Sequence, residues 1–139
     1  MARDGRSTVK HNRGDIVVEA GKIRIGLEFR EISGDRGVAI HVLGDVGDDE
    51  VEMLAFDCFE KNPHYHYGPR AKNQRLSLDT TTIPDPLRWT LDLFKGGKLG
   101  SMLERAGYRD HATGINPNAL MKALNEVESH ALKMREAHS

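Results

Sequence analysis

His64 and His66 stand two residues apart in the run FDCFEKNPHYHYGPR, residues 56–70, which also holds Asp57 and the one cysteine of the 139-residue chain, Cys58. Two imidazoles at i and i+2 on an extended strand point the same way. So placed, they can share a divalent transition metal ion through their ring nitrogens. Such a pair needs a third ligand: Asp57 from across a strand pair, His41 if its strand presents the same face, or Glu28. Asp57 can instead accept the second N–H of a ligating ring and fix its tautomer. Without metal the same groups make an acid–base pair. A carboxylate at Asp57 raises the pKa of His66 and turns it into a general acid near neutrality. The plainer alternative is two half-exposed histidines hydrogen-bonded to their neighbours.

Beyond the histidines, Gly68-Pro69-Arg70-Ala71-Lys72-Asn73-Gln74-Arg75 joins Lys61 in gathering four basic side chains. His64, Arg70, Lys72 and Arg75 are candidates to hold a small anionic ligand, an arginine by a two-pronged grip on phosphate or carboxylate. A solvated basic loop is the alternative. Tyrosines next to basic residues also suit base stacking and name RNA as a partner. Cys58 reads as a small buried hydrophobe, and one cysteine without a disulfide partner suits a reducing compartment. Other suggestive segments lack the spacing that chemistry requires. Lys95 to Ser101 is not a phosphate-binding loop, Gly44 to Asp49 is not a calcium loop, and no serine sits in a nucleophile elbow. Trp89, Met102, Met121 and Met134 fit core packing.

Twenty basic side chains against twenty-one acidic ones leave a net charge of -1, so no global field draws in nucleic acid or membrane. The opening MARDGRSTVKHNRG has no apolar core of a signal peptide, and no run of eighteen apolar residues occurs anywhere; a cytoplasmic protein with no membrane partner is expected. Residues 1–14 have the composition of a flexible basic tail, and residues 15–139 that of a single α+β domain.

The elements that must position the site follow from two periodicities. Ile16 to Val18 and Ile23 to Phe29 alternate with period two, Ser33 to Arg36 supplies a turn, and Val38 to Leu43 is a further strand. Val51 to Phe59 and His64 to Tyr67 form a strand pair about Glu60-Lys61-Asn62-Pro63, with Gln74 to Asp79 as the last strand. Asp85-Pro86 and Asn116-Pro117 each place a capping side chain before a first-turn proline. Leu87, Leu91, Phe94, Met102 and Ala106 trace a stripe that Gly96-Gly97 either kinks or splits into two helices. Leu120, Leu124, Val127, Ala131 and Met134 trace another. Strands first and helices afterwards imply an antiparallel sheet of five or six strands with two or three C-terminal helices on one face.

A turn at residues 60–63 sets Phe59 opposite His64, Cys58 opposite Tyr65, Asp57 opposite His66 and Phe56 opposite Tyr67. Phe56, Cys58, Tyr65 and Tyr67 then share a face with Leu54. Asp57, Phe59, His64 and His66 share the other with Met53 and Ala55. The first face is the core. The second, left uncovered by the helices, meets a ligand or a second subunit, and with the apolar stripe of the last helix it suggests a homodimer.

The stretches FDCFEKNPHYHYGPR and TIPDPLRWTLDLFK, within residues 53–95, resemble a group of small bacterial proteins classed as a domain of unknown function. The resemblance implies a compact sheet with a trailing helix and carries over no activity and no functional residue. A fainter similarity to the toxin halves of toxin–antitoxin pairs implies RNA as a substrate and carries over no residue. The expected function is that of a small binding or accessory protein; the alternative is a metal-dependent or histidine acid–base enzyme acting on a phosphorylated substrate or RNA.

Overall fold

The structure, a computed structural model, describes residues 16–139; the expected basic tail at residues 1–14 lies outside the described residues. Period-two alternation builds six strands: β1 (Ile16–Ala20), β2 (Ile23–Ile32), β3 (Asp35–Val46), β4 (Asp49–Phe59), β5 (His64–Tyr67) and β6 (Arg75–Ser77). All pair antiparallel, in the same order in the sheet as in the chain. The strands run further into the turns than expected. Ser33 and Gly34 take left-handed φ values of 52° and 79°, so a two-residue turn whose twist matches that of the strands closes β2 on β3 and frees Asp35 and Arg36 to pair. Gln74 to Asp79 contributes only the three residues of β6.

Helices follow: α1 (Pro86–Lys95), α2 (Leu99–Arg105), α3 (Arg109–Thr113) and α4 (Pro117–Ala137). Asp85 accepts the Arg88 backbone N–H at 3.0 Å, and Asn116 accepts those of Asn118 and Ala119 at 2.9 and 3.1 Å, as N-caps do. Gly97, at φ 84°, ends the first apolar stripe and makes two helices rather than one kinked one. No helix among the described residues is long and apolar enough to cross a membrane.

The helices cover one face of the sheet. Ile25, Leu27, Ile40, Leu54 and Phe56 meet Leu91, Phe94, Leu103, Leu124 and Val127 in one buried cluster, with the Phe94 ring edge-on to Phe56 at 5.1 Å. Along the α4 stripe Leu124, Val127 and Ala131 are buried in this core, and Leu120 and Met134 pack against it half-buried. Met121, expected in the core, is 44 % exposed, one position outside that stripe.

The opposite face carries Arg24, Gly26, Glu28 and Arg30 from β2, Ala39, His41 and Leu43 from β3, and Ala55, Asp57 and Phe59 from β4. His64 and His66 from β5 and Arg75 from β6 complete it. One exception to strict alternation shapes it. Val42 pairs with Leu54 and Leu43 with Glu52, which leaves Met53 as a bulge. The extra residue reverses the parity of what precedes it: Met53 joins the core, against the expectation that it shares the histidine face, and Glu52 turns onto that face.

Candidate functional site

The turn after β4 decides which groups meet. Asp35, at the start of β3, accepts the backbone N–H groups of Lys61 and Asn62 at 3.0 and 2.8 Å, besides that of Arg36 at 2.9 Å. Burial alone would raise this carboxyl; the backbone donors overcome it and hold its pKa below the ordinary value. Drawn toward Asp35, the chain leaves Cys58 and Phe59 paired only with β3, and β5 joins β4 two residues further in. Asp57 therefore faces His64, Phe56 faces Tyr65, and Ala55 faces His66. The expected register, Asp57 against His66, is corrected by two positions. A shift of two preserves the side of every residue, so Asp57, His64 and His66 do share one face.

There His64 donates through Nε2 to Asp57 Oδ2 at 2.9 Å, and Arg30 donates through Nη1 to Asp57 Oδ1 at 2.9 Å. Burial pushes the Asp57 carboxyl up, but the His64 hydrogen bond and the Arg30, His64 and His66 charges outweigh it and hold the pKa down at about 2. The second nitrogen of His64, Nδ1, lies 2.9 Å from the Asn62 carbonyl and 3.3 Å from the Arg75 guanidinium. With Nε2 donating to Asp57, Nδ1 accepts from the guanidinium in the neutral ring and donates to the carbonyl only when both nitrogens carry protons. Phe59 sits edge-on to the His64 ring at 5.7 Å.

These groups line a hollow of about 400 Å³ together with Ile32, Ser33, Asp35, His66 and Asn73, a size in the range of small-molecule sites. Of the residues expected to hold a ligand, His64 and Arg75 line it and Arg70 and Lys72 do not. Arg70 donates to the Gly107 carbonyl at 2.7 Å and lies 4.4 Å over the Tyr108 ring, pinning its loop to the α2–α3 corner. Lys72 is exposed, in a left-handed conformation at φ 59°. Tyr67 lies in the core beneath the helices, and Tyr65 packs against it.

His41 belongs to a separate cluster on the same face. Its Nδ1 donates to Glu52 at 2.7 Å and its Nε2 to Glu28 at 2.6 Å. Burial would lower its pKa; the two carboxylates outweigh that and raise it to about 9, so the ring is an imidazolium at neutral pH. The structure does not bring His64, His66, Asp57 and His41 together as a ligand set: among the described residues no three such groups are placed to hold a metal ion. Cys58 is buried on the core side, its thiol pushed up to about 12 by burial, with Thr90 Oγ1 at 3.6 Å.

Sequence reasoning passed over Arg30, Asp35, Glu52 and Asn62. Arg30 was within reach: it shares parity with Arg24 and Glu28, and the Ser33-Gly34 turn fixes it opposite Gly37, one step from Asp57. Glu52 was not, because its side depends on the bulge.

A family model described as "Domain of unknown function (DUF7700)" matches residues 17–131, spanning the sheet and nearly all of the helical layer. No curated protein and no solved structure matches the chain.

Proposed function

The chain belongs to the DUF7700 family, and we propose that it is a binding protein for a small anionic ligand, a carboxylate or phosphate compound held in the hollow beside His64. One observation carries this reading. Among the described residues no carboxylate stands within ion-pair distance of Arg75, while its guanidinium lies 3.3 Å from His64 on the wall of the hollow. The two carboxylates there already accept strong donors, Asp57 from Arg30 and His64, Asp35 from three backbone N–H groups. What remains to greet a ligand is mostly donors: Arg75, the rest of the Arg30 fork and the Asn62 amide. Such a set suits anionic oxygen.

Calorimetric titration with inorganic phosphate, sugar phosphates, nucleoside monophosphates and di- and tricarboxylates tests the reading. Arg75 is exposed on an edge strand, so Arg75→Gln leaves the fold intact and is expected to weaken the best of these about tenfold or more, as for a charge-assisted contact worth 1.5–3 kcal/mol. Equal affinity in the variant, or no binding by any probe at millimolar concentration, would remove it.

The Asp57–His64 hydrogen bond supports a second reading, acid–base catalysis on the bound anion, with His64 in the place expected for His66. A carboxylate that holds one imidazole nitrogen while the other borders a pocket is a common way to orient a proton-transfer group. A screen of phosphomonoesters and short RNAs decides it: turnover abolished by His64→Gln sustains the reading, and turnover unaffected by that change ends it.

A further inference from the structure

On the other side of β5 from the hollow, the core is open at its margin. Gly97 turns the chain between α1 and α2, and the two helices bound a groove against β5. Trp89 and Leu93 stand at i and i+4 on α1, Met102 and Arg105 at i and i+3 on α2, and Tyr65 and Tyr67 two apart on β5. With Lys98 and Ser101 they line a space of about 250 Å³, smaller than the roughly 300–1,000 Å³ of small-molecule pockets and suited to a single large side chain. Tyr67 and Met102 belong to the buried core, whereas Tyr65, Trp89 and Leu93 are half-buried and pack against it from outside. Lys98 and Arg105 are exposed at the rim.

We propose that this groove docks an acidic segment of a partner protein, with one large aliphatic side chain seated among the rings and its flanking carboxylates held by Lys98 and Arg105. Charge argues for the acid. Arg88 and Lys95 of α1 are engaged by Glu128, and Arg109 of α3 by Glu104. Among the described residues no carboxylate stands within ion-pair distance of Lys98 or Arg105, and none lines the groove. Arg105 uses one nitrogen on Gln74 Oε1 at 3.0 Å and lays its guanidinium 5.0 Å over the Tyr67 ring, which leaves the other side of its fork to a carboxylate. The rings argue for an aliphatic anchor over a nucleic-acid base. Arg105 caps Tyr67, and Tyr65 stacks on Phe56 at 5.4 Å and tilts against Trp89 at 5.9 Å, so the tyrosine faces on which a base would stack are engaged. Two cations are also few for a polynucleotide, whose affinity grows with each phosphate neutralised. Tryptophan, tyrosine and arginine around an apolar floor are the composition of a protein-binding hot spot.

Trp89 is the one tryptophan of the chain, so its emission in the full-length protein reports on this groove. The probes are capped pentapeptides of the pattern Asp-Glu-X-Glu-Asp with leucine or alanine at X, and an oligouridylate of matching charge. The leucine peptide is expected to change the emission saturably at sub-millimolar concentration, and the alanine peptide to bind about tenfold more weakly or worse, for the methylenes it lacks. Lys98 is exposed, and Lys98→Glu is expected to weaken the leucine peptide about tenfold. Lys133→Glu, the same change of charge on an exposed position of α4, is expected to leave it unaltered. No saturable response at millimolar peptide, an alanine peptide that binds as well, an equal loss in both variants, or an oligouridylate that binds more tightly would overturn the proposal.

Discussion

Asp57 and His41 give the folded protein two opposite responses to pH. The Asp57 carboxyl titrates at about 2 in the fold against 3.8 for an ordinary aspartate. The stability it contributes is therefore complete above about pH 4 and is lost as the pH falls through 2, an effect on the order of 2 kcal/mol. The sign is reversed for His41, raised from 6.5 to about 9. Its contribution is complete below pH 6.5 and is lost as the pH rises through 9. Urea midpoints measured from pH 2 to 10 are expected to form a plateau between these limbs, roughly pH 4 to 6.5. Asp57→Asn should flatten the acid limb and His41→Gln the alkaline one; limbs that persist in the variants would assign the titrations to other residues. His41 was legible only as a candidate ligand. Its actual partners, Glu28 and Glu52, come from two other strands, one of them turned by the bulge, and nothing local to position 41 announces them.

At the scale of elements, the helix starts rest on short-range signals and were read correctly from the chain. Asp85 and Asn116 each cap a first turn with proline behind them, and Asp85→Ala and Asn116→Ala are each expected to lower the free energy of unfolding by about 1 kcal/mol, measured in urea; a loss below a few tenths would mean the caps are replaced by water. The two faces of β4 and β5 were also legible, because alternation sorts Phe56, Cys58, Tyr65 and Tyr67 from Asp57, Phe59, His64 and His66 whatever even number of residues the pairing slips. The register itself was not. It depends on Asp35 collecting the N–H groups of Lys61 and Asn62, 26 and 27 residues further along. Arg70 failed for a similar reason: its direction is set by the 3₁₀ turn at Pro69–Ala71 and by the left-handed pair Lys72 and Asn73, which aim it at Gly107.

For the molecule as a whole, ligand and fold are linked. A compound that fills the hollow bridges β2, the β2–β3 turn, β4, β5 and β6, contacts that exist only when the sheet is assembled. At a hundredfold excess over its Kd it should add about 2.7 kcal/mol to the stability, visible as a raised melting temperature that Arg75→Gln abolishes. The α+β order of layers was legible in the change of period near residue 84; the hollow was not, because it is made by distant segments and its chemistry is fixed by which donors are already engaged.

The match between chain order and sheet order also governs the protein's birth. On the ribosome each new strand can hydrogen-bond to the one just finished, so the meander grows by addition with no early partner left waiting. Its oily side has no such luck, since α1 to α4, residues 86–137, are translated only after the sheet. At roughly 5–20 residues per second, about 3 to 10 seconds pass in which a nearly finished sheet shows a bare greasy surface to the cell, a window in which a holding chaperone has something to grip.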